Sequence, residues 1–185
     1  LIKGGHVIDP ANKIDGSFDI LINNGKIEAV LPKGKSSASK IKDVKVIDAK
    51  GCVVAPGFCD MHVHFREPGH EYKETIETGS ASAAAGGFST VAVMPNTFPV
   101  NDNRSVTELI ISQAKKTSLV NIFPIGAITN GLKGETLSDM GELKESGCIG
   151  YSDDGKPVMN SELMRRALEY SRMFELPCIQ HSEVL

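Results

Sequence analysis

The sequence predicts an α/β protein in two parts, a small β-rich region over residues 1–55 and a parallel β/α region over residues 56–185. Three observations carry this. The first 55 residues alternate apolar and polar side chains in short runs broken by turn residues. Beyond Pro56, five apolar strand-like runs recur with helical patterns between them. Residue types suited to metal and anion chemistry cluster at the ends of those runs.

In the first region the alternating segments are HVIDP, FDILINNGKIEAVL and KVIDAKGCVVAP, interrupted at Asn24-Gly25 and Lys50-Gly51. Asn-Gly between two such runs is a strong hairpin signal, because both residues tolerate the positive φ that a tight turn demands. The pattern predicts a small antiparallel sheet, with the serine-rich stretch Ser36 to Ser39 as a surface loop.

The strand-like runs of the second region are FCDMHVHF, STVAVMPN, NIFPIGAI, GCIGYSDD and PCIQHS. Between the first two, residues 74–87 are rich in small side chains and end in glycine, as a helix lying close against a sheet would. Ser105 and Glu108 match a capping box ahead of Leu109, Ile110 and Ala114. Leu163, Ala167, Tyr170 and Phe174 form a helical stripe within residues 160–175. Strand–helix alternation at a repeat of roughly thirty residues implies βα units and a parallel sheet. A closed eight-stranded barrel takes about 250 residues, and about 130 follow Pro56. The expected fold is therefore the N-terminal half of a (β/α)8 barrel.

Bulk properties exclude several classes. A formal charge of −3 without a basic, aromatic-interleaved stripe argues against nucleic-acid binding. Apolar runs such as VAVM and CVVAP are far too short to cross a bilayer, and LIKGGHVIDP lacks the apolar core of a signal peptide, so no membrane role and a cytoplasmic location are expected. Cys52, Cys59, Cys148 and Cys178 sit singly in apolar segments with no CxxC pair, which predicts buried reduced thiols. The start at Leu1 and the stop after HSEVL suggest part of a longer polypeptide.

In parallel β/α barrels the chemistry sits at the C-terminal ends of the strands. There the sequence places His62, His64 and Arg66 on the first strand, Asn96 on the second, Asp153 and Asp154 on the fourth, and His181 on the fifth. Only the third, closing in Ile128-Thr129-Asn130, offers nothing ionisable. If the first strand runs far enough, His62, His64 and Arg66 share one face. Taken singly, each has an ordinary explanation: HxH pairs are commonly structural or solvated, Asp-Asp-Gly favours turns, and a lone arginine is usually a surface charge. His6 and His70 have no such context and are read as structural. Joint placement at successive strand ends favours a metal site. Imidazole and carboxylate suit zinc, which with an open position activates water. The fork of Arg66 suits a substrate carboxylate, and Asn96 can donate and accept hydrogen bonds beside it.

GHVIDP, FDILINNGKI, APGFCDMHVHFREPG, EYKETIETGSASAAAGGFSTVAVMPNT and YSDDGKPV together resemble the bacterial-type dihydroorotases of the amidohydrolase superfamily, over essentially the whole chain. The resemblance implies a metal-bearing (β/α)8 TIM barrel plus a small composite β-sandwich whose remaining strands lie downstream. It implies zinc-dependent interconversion of N-carbamoyl-L-aspartate and L-dihydroorotate in de novo pyrimidine biosynthesis, with one or two Zn2+ per subunit. Residue by residue, His62 and His64 resemble first-zinc ligands, Asp154 a ligand that bridges where two zincs are present, and His181 a second-zinc ligand. Arg66 and Asn96, with His64 nearby, resemble the groups holding the substrate carboxylate; Asp153 lies behind the ligands at most. The family's proton-shuttle aspartate and a further histidine lie on later strands, so no catalytic residue is assigned within this chain, which alone is expected to be inactive. Ser182-Glu183 replaces the more familiar cysteine–glutamate after His181. Homo-oligomers and association with aspartate transcarbamoylase stay open. Two rivals stand behind this reading. Hydantoinase, dihydropyrimidinase and allantoinase typically bridge their metals with a carboxylated lysine, absent before Asp154 here. A non-catalytic dihydroorotase-like scaffold of the transcarbamoylase generally loses metal ligands.

Overall fold

The computed structural model describes residues 1–34 and 44–183; the Ser36–Ser39 loop expected from the sequence lies outside the described residues. The chain divides into two compact units, Leu1–Pro56 and Gly57–Leu185.

In the first unit β1 (Ile2–Asp9), β2 (Ile14–Asn23) and β3 (Lys26–Pro32) form an antiparallel meander. Asn24 and Gly25 turn the β2–β3 hairpin with φ of 49° and 74°, the left-handed pair that matches the strand twist. Two short pieces, β4 (Ile47–Asp48) and β5 (Val53–Val54), both run parallel to β1, pairing at Ile2–Ile47 and His6–Val53. The sheet is therefore mixed, not wholly antiparallel. Lys50-Gly51 does not reverse the chain; Cys52 N–H donates to Ala49 O, and the turn bulges out before the backbone rejoins β1 at His6. Alternation marks which residues face the core but carries no strand direction. Leu1, Val7, Ile20 and Ala49 are buried here. Buried Asp19 accepts from the Gly4 and Gly34 amides.

The second unit alternates without interruption: β6 (Phe58–Val63), α1 (Ile76–Ala85), β7 (Phe88–Val93), α2 (Arg104–Thr117), β8 (Asn121–Pro124), α3 (Met140–Ser146), β9 (Tyr151–Ser152), α4 (Ser161–Arg172) and β10 (Cys178–Ile179). Every strand pair is parallel: β6 with β7, β7 with β8, β9 with β10. A parallel bridge from Gly126 to Tyr151 joins the end of β8 to β9. The spatial order of the strands thus follows the sequence.

Period-2 alternation on β7 sends Val91 and Val93 to the helix side, where they meet Phe65, Ile76, Val106 and Ile110. It sends Ala92 and Met94 to the opposite side, with Ile125 and Ile179. A second helix-side cluster gathers Ile128, Met140, Leu143, Tyr151 and Ala167, against which Leu163, Tyr170 and Phe174 of the expected stripe pack. Gly79 of α1 permits close approach, since a Cβ there would stand 2.5 Å from the Phe65 ring. Helix α2 starts earlier than the Ser105–Glu108 pattern suggests. Its cap is Asn103, whose side chain accepts from Val106 N–H at 3.2 Å, so Ser105 is already helical.

The cysteines divide in a way composition did not reveal: Cys148 is buried and Cys178 half-buried, but Cys52 and Cys59 are exposed, and all four are free thiols. Burial pushes the Cys148 thiol up to about 11, so at pH 8 it stays protonated and a poor nucleophile. Titration of the native protein with a thiol-specific disulfide reagent at pH 8 should show fast modification at Cys52 and Cys59. Cys148 should become reactive only on denaturation.

Candidate metal centre

The first strand ends at Val63, yet His62 and His64 still converge, their rings edge-on with centroids 5.1 Å apart. Opposite them, the pairing of β6 with β7 slips between Asp60–Val91 and Val63–Val93. β6 spends one more residue there than its neighbour, the local distortion by which a strand re-aims side chains beside a site.

Asp154, just beyond β9, supplies the centre. His62 Nε2 lies 3.3 Å from its Oδ1 and His64 Nε2 lies 3.3 Å from its Oδ2. His181, after β10, brings Nδ1 to 3.3 Å from Oδ1. The ligand atoms of His62, His64 and Asp154 all lie within 4.8 Å of one another. Ligands about 2.0–2.2 Å from a tetrahedral zinc are separated by about 3.3–3.5 Å, so these spacings and donor types fit a zinc or similar divalent ion. His181 lies outside that triad and meets it at Asp154 Oδ1.

Backbone contacts hold Asp154 from three neighbouring strand ends. Its N–H donates to Ser152 Oγ, whose own hydroxyl donates to Ile179 O on β10. Its carbonyl accepts a long contact, 3.4 Å, from Asn96 Nδ2 after β7. Next door, buried Asp153 accepts from the Ile128 and Thr129 amides at 2.8 and 2.9 Å and from the Thr129 hydroxyl. Burial outweighs those bonds and raises the Asp153 carboxyl above the usual range. Asp153 therefore faces the chain beyond β8 and not the histidines. Sequence reasoning assigns no role to Thr129 or Ser152; Glu183, which pairs with His181 Nε2 at 3.1 Å, is signalled only by the altered motif after His181.

Arg66 does not continue the face of His62 and His64. It has left-handed backbone, φ 61°, and opens a loop in which its carbonyl accepts from His70 N–H. Its half-buried guanidinium makes no ion pair among the described residues. Asn96 joins the cluster directly, its Oδ1 accepting from His64 Nδ1 at 2.9 Å. His6 pairs instead with Asp15 in the first unit, and His70 stacks loosely with Tyr72 and Phe98.

Fold and cluster define a protein whose second unit is parallel β/α, with a group of side chains able to hold a metal ion at the C-terminal ends of its strands. The chain belongs to the dihydro-orotase-like family, whose model matches residues 51–183. A dihydroorotase of Geobacter metallireducens is 58% identical over all 185 residues, and one of Syntrophus aciditrophicus 52%. The chain spans 43% of the length of each of these relatives. Among solved structures, L-hydantoinase from Arthrobacter aurescens has a TM-score of 0.68 at 25% identity, covering 82% of this chain and 32% of that one. A crystal structure of a dihydroorotase has a TM-score of 0.64 at 14% identity, covering 96% of this chain and 49% of the other, a likeness of fold alone.

Removing the Asp153 carboxylate should cost stability, because two buried amides lose their acceptor at about 1–3 kcal/mol each. Asp153→Ala should lower the urea midpoint measurably. An unchanged midpoint would show that water replaces the carboxylate there.

Proposed function

We propose that this chain is the metal-binding, amino-terminal part of a zinc-dependent dihydroorotase, which interconverts N-carbamoyl-L-aspartate and L-dihydroorotate in pyrimidine biosynthesis. The observation that carries this is the Asp154 carboxylate met by three imidazole nitrogens at 3.3 Å; Arg66, two residues beyond His64, is half-buried and has no ion-pair partner among the described residues. On this reading residues 1–55 belong to a composite β-sandwich and residues 56–185 to the first half of a (β/α)8 barrel. His62, His64 and Asp154 hold one zinc, and Asp154 with His181 contributes to a second where two are bound.

Bound there, zinc supplies Lewis-acid polarisation and a water acidic enough to react near neutral pH. The chain's own residues do the rest of the positioning. Arg66 binds the carboxylate of the substrate through charge-assisted hydrogen bonds, and among the described residues no carboxylate pairs with it. Asn96 Nδ2, with one hydrogen directed to Asp154 O, has a second for the same carboxylate. Orientation is thereby fixed before the ring amide is attacked. Hydantoins and dihydrouracil carry no such carboxylate, which supports dihydroorotate over those cyclic amides. No residue of this chain is assigned to proton transfer. A cytoplasmic location accompanies this reading; among the described residues no helix is long and apolar enough to cross a membrane. Homo-oligomers or association with aspartate transcarbamoylase would appear as co-elution of the full-length polypeptide.

The test is ring opening of L-dihydroorotate by the full-length polypeptide with zinc supplied. Turnover abolished by a chelator supports the assignment. Turnover of hydantoin or dihydrouracil in its place would favour a cyclic-amide rival, and a protein with neither turnover nor zinc would favour a scaffold. Arg66→Lys should raise KM for dihydroorotate about tenfold or more, the worth of one charge-assisted hydrogen bond. Its zinc content should stay at the wild-type value.

A further inference from the structure

We infer that Asn96, beyond any contact with substrate, is the positioning residue that makes His64 a metal ligand by fixing its tautomer. The inference rests on the reading of His62, His64 and Asp154 as a metal triad. A neutral imidazole carries one N–H and one lone pair, and only the nitrogen with the lone pair can bind a metal. Asn96 Oδ1 lies 2.9 Å from His64 Nδ1 and can only accept, so Nδ1 carries the proton. In the neutral ring, the form that binds metal, the lone pair then falls on Nε2, the atom that faces Asp154 Oδ2 at 3.3 Å.

The orientation of the Asn96 amide is itself determined. Its Nδ2 lies 3.4 Å from the main-chain carbonyl of Asp154. Turning the amide over would set oxygen against that carbonyl oxygen, and would set an NH2 group against a nitrogen that must then accept. One amide thus reads two ligands at once, the imidazole of His64 and the backbone of Asp154. The three residues close a ring, His64 to Asn96, Asn96 to the Asp154 main-chain carbonyl, and the Asp154 carboxylate back to His64, across strand ends far apart in sequence. A substrate contact alone would need neither arrangement.

Partners of this kind typically govern metal affinity by about 10–100-fold. The two roles of Asn96 separate on substitution. Asn96→Ala removes the acceptor and the donor together. Asn96→Asp keeps an acceptor for the Nδ1 proton but presents no amide hydrogen to a substrate carboxylate.

The experiment measures zinc affinity of the full-length polypeptide by competition with a chromophoric chelator, and the His64 tautomer in the metal-free protein by 15N NMR. Wild type should show the Nδ1–H form. N96A should lose 10–100-fold in zinc affinity and no longer show the Nδ1–H form, while its metal-free form stays folded by circular dichroism. N96D should keep zinc affinity within a few-fold of wild type while KM rises. Zinc affinity in N96A equal to wild type, with only KM raised, would overturn the proposal and leave Asn96 a substrate contact. An equal loss in N96D and N96A would overturn it as well, since the acceptor would then be irrelevant. Wild-type protein that binds no zinc would instead overturn the metal centre itself, before any variant is compared.

Discussion

Everything at the rim is organised around one buried carboxylate. Asp154 has only 9% of its side chain exposed, yet three imidazole nitrogens stand 3.3 Å from its oxygens. Isolating such a charge from water is expensive unless something positive or strongly hydrogen-bonding replaces the solvent. Imidazoles in their neutral form do this poorly; a divalent ion between them does it well. On the proposed reading the carboxylate can be buried because the histidines would hold such an ion against it, and the histidines are held in register because the carboxylate is fixed.

Fixing it is the work of the parallel architecture. Strands that run the same way in sequence order deliver their C-terminal ends to one edge, so residues distant in the chain meet. Asp154 is gripped through Ser152 toward β10, through Asn96 from β7, and through its neighbour Asp153 from the chain after β8. The helices set the spacing of that edge. Phe65, following directly on His64, is buried against Gly79 of α1, which anchors the histidine strand's exit to the helix layer.

Much of this was legible in sequence, and the limits have physical causes. His62 and His64 announced themselves because period-2 spacing is local, and Asp154 and His181 because they close successive apolar runs. The β/α alternation was equally plain. Strand direction in the first unit was not, because apolar–polar alternation looks the same in parallel and antiparallel pairing; β4 and β5 joined β1 in the unexpected sense. The helix cap moved from Ser105 to Asn103 because two cap-competent residues lay within one turn, and tertiary placement chose between them. Thr129 had no signal at all. Its importance is a hydrogen bond to Asp153, 24 positions away, and a residue that cannot ionise attracts no notice in a search for chemistry.

Arg66 shows what such a site asks of its scaffold. At φ 61° it occupies backbone space in which glycine or asparagine rests more comfortably, and the misfit is on the order of 1–2 kcal/mol. If Arg66 holds a substrate carboxylate as proposed, thermal endurance and anion recognition pull in opposite directions at this one position. Selection for heat resistance alone would drift toward glycine here and discard the guanidinium, so an arginine that persists under such pressure would be a mark of use, written in the backbone.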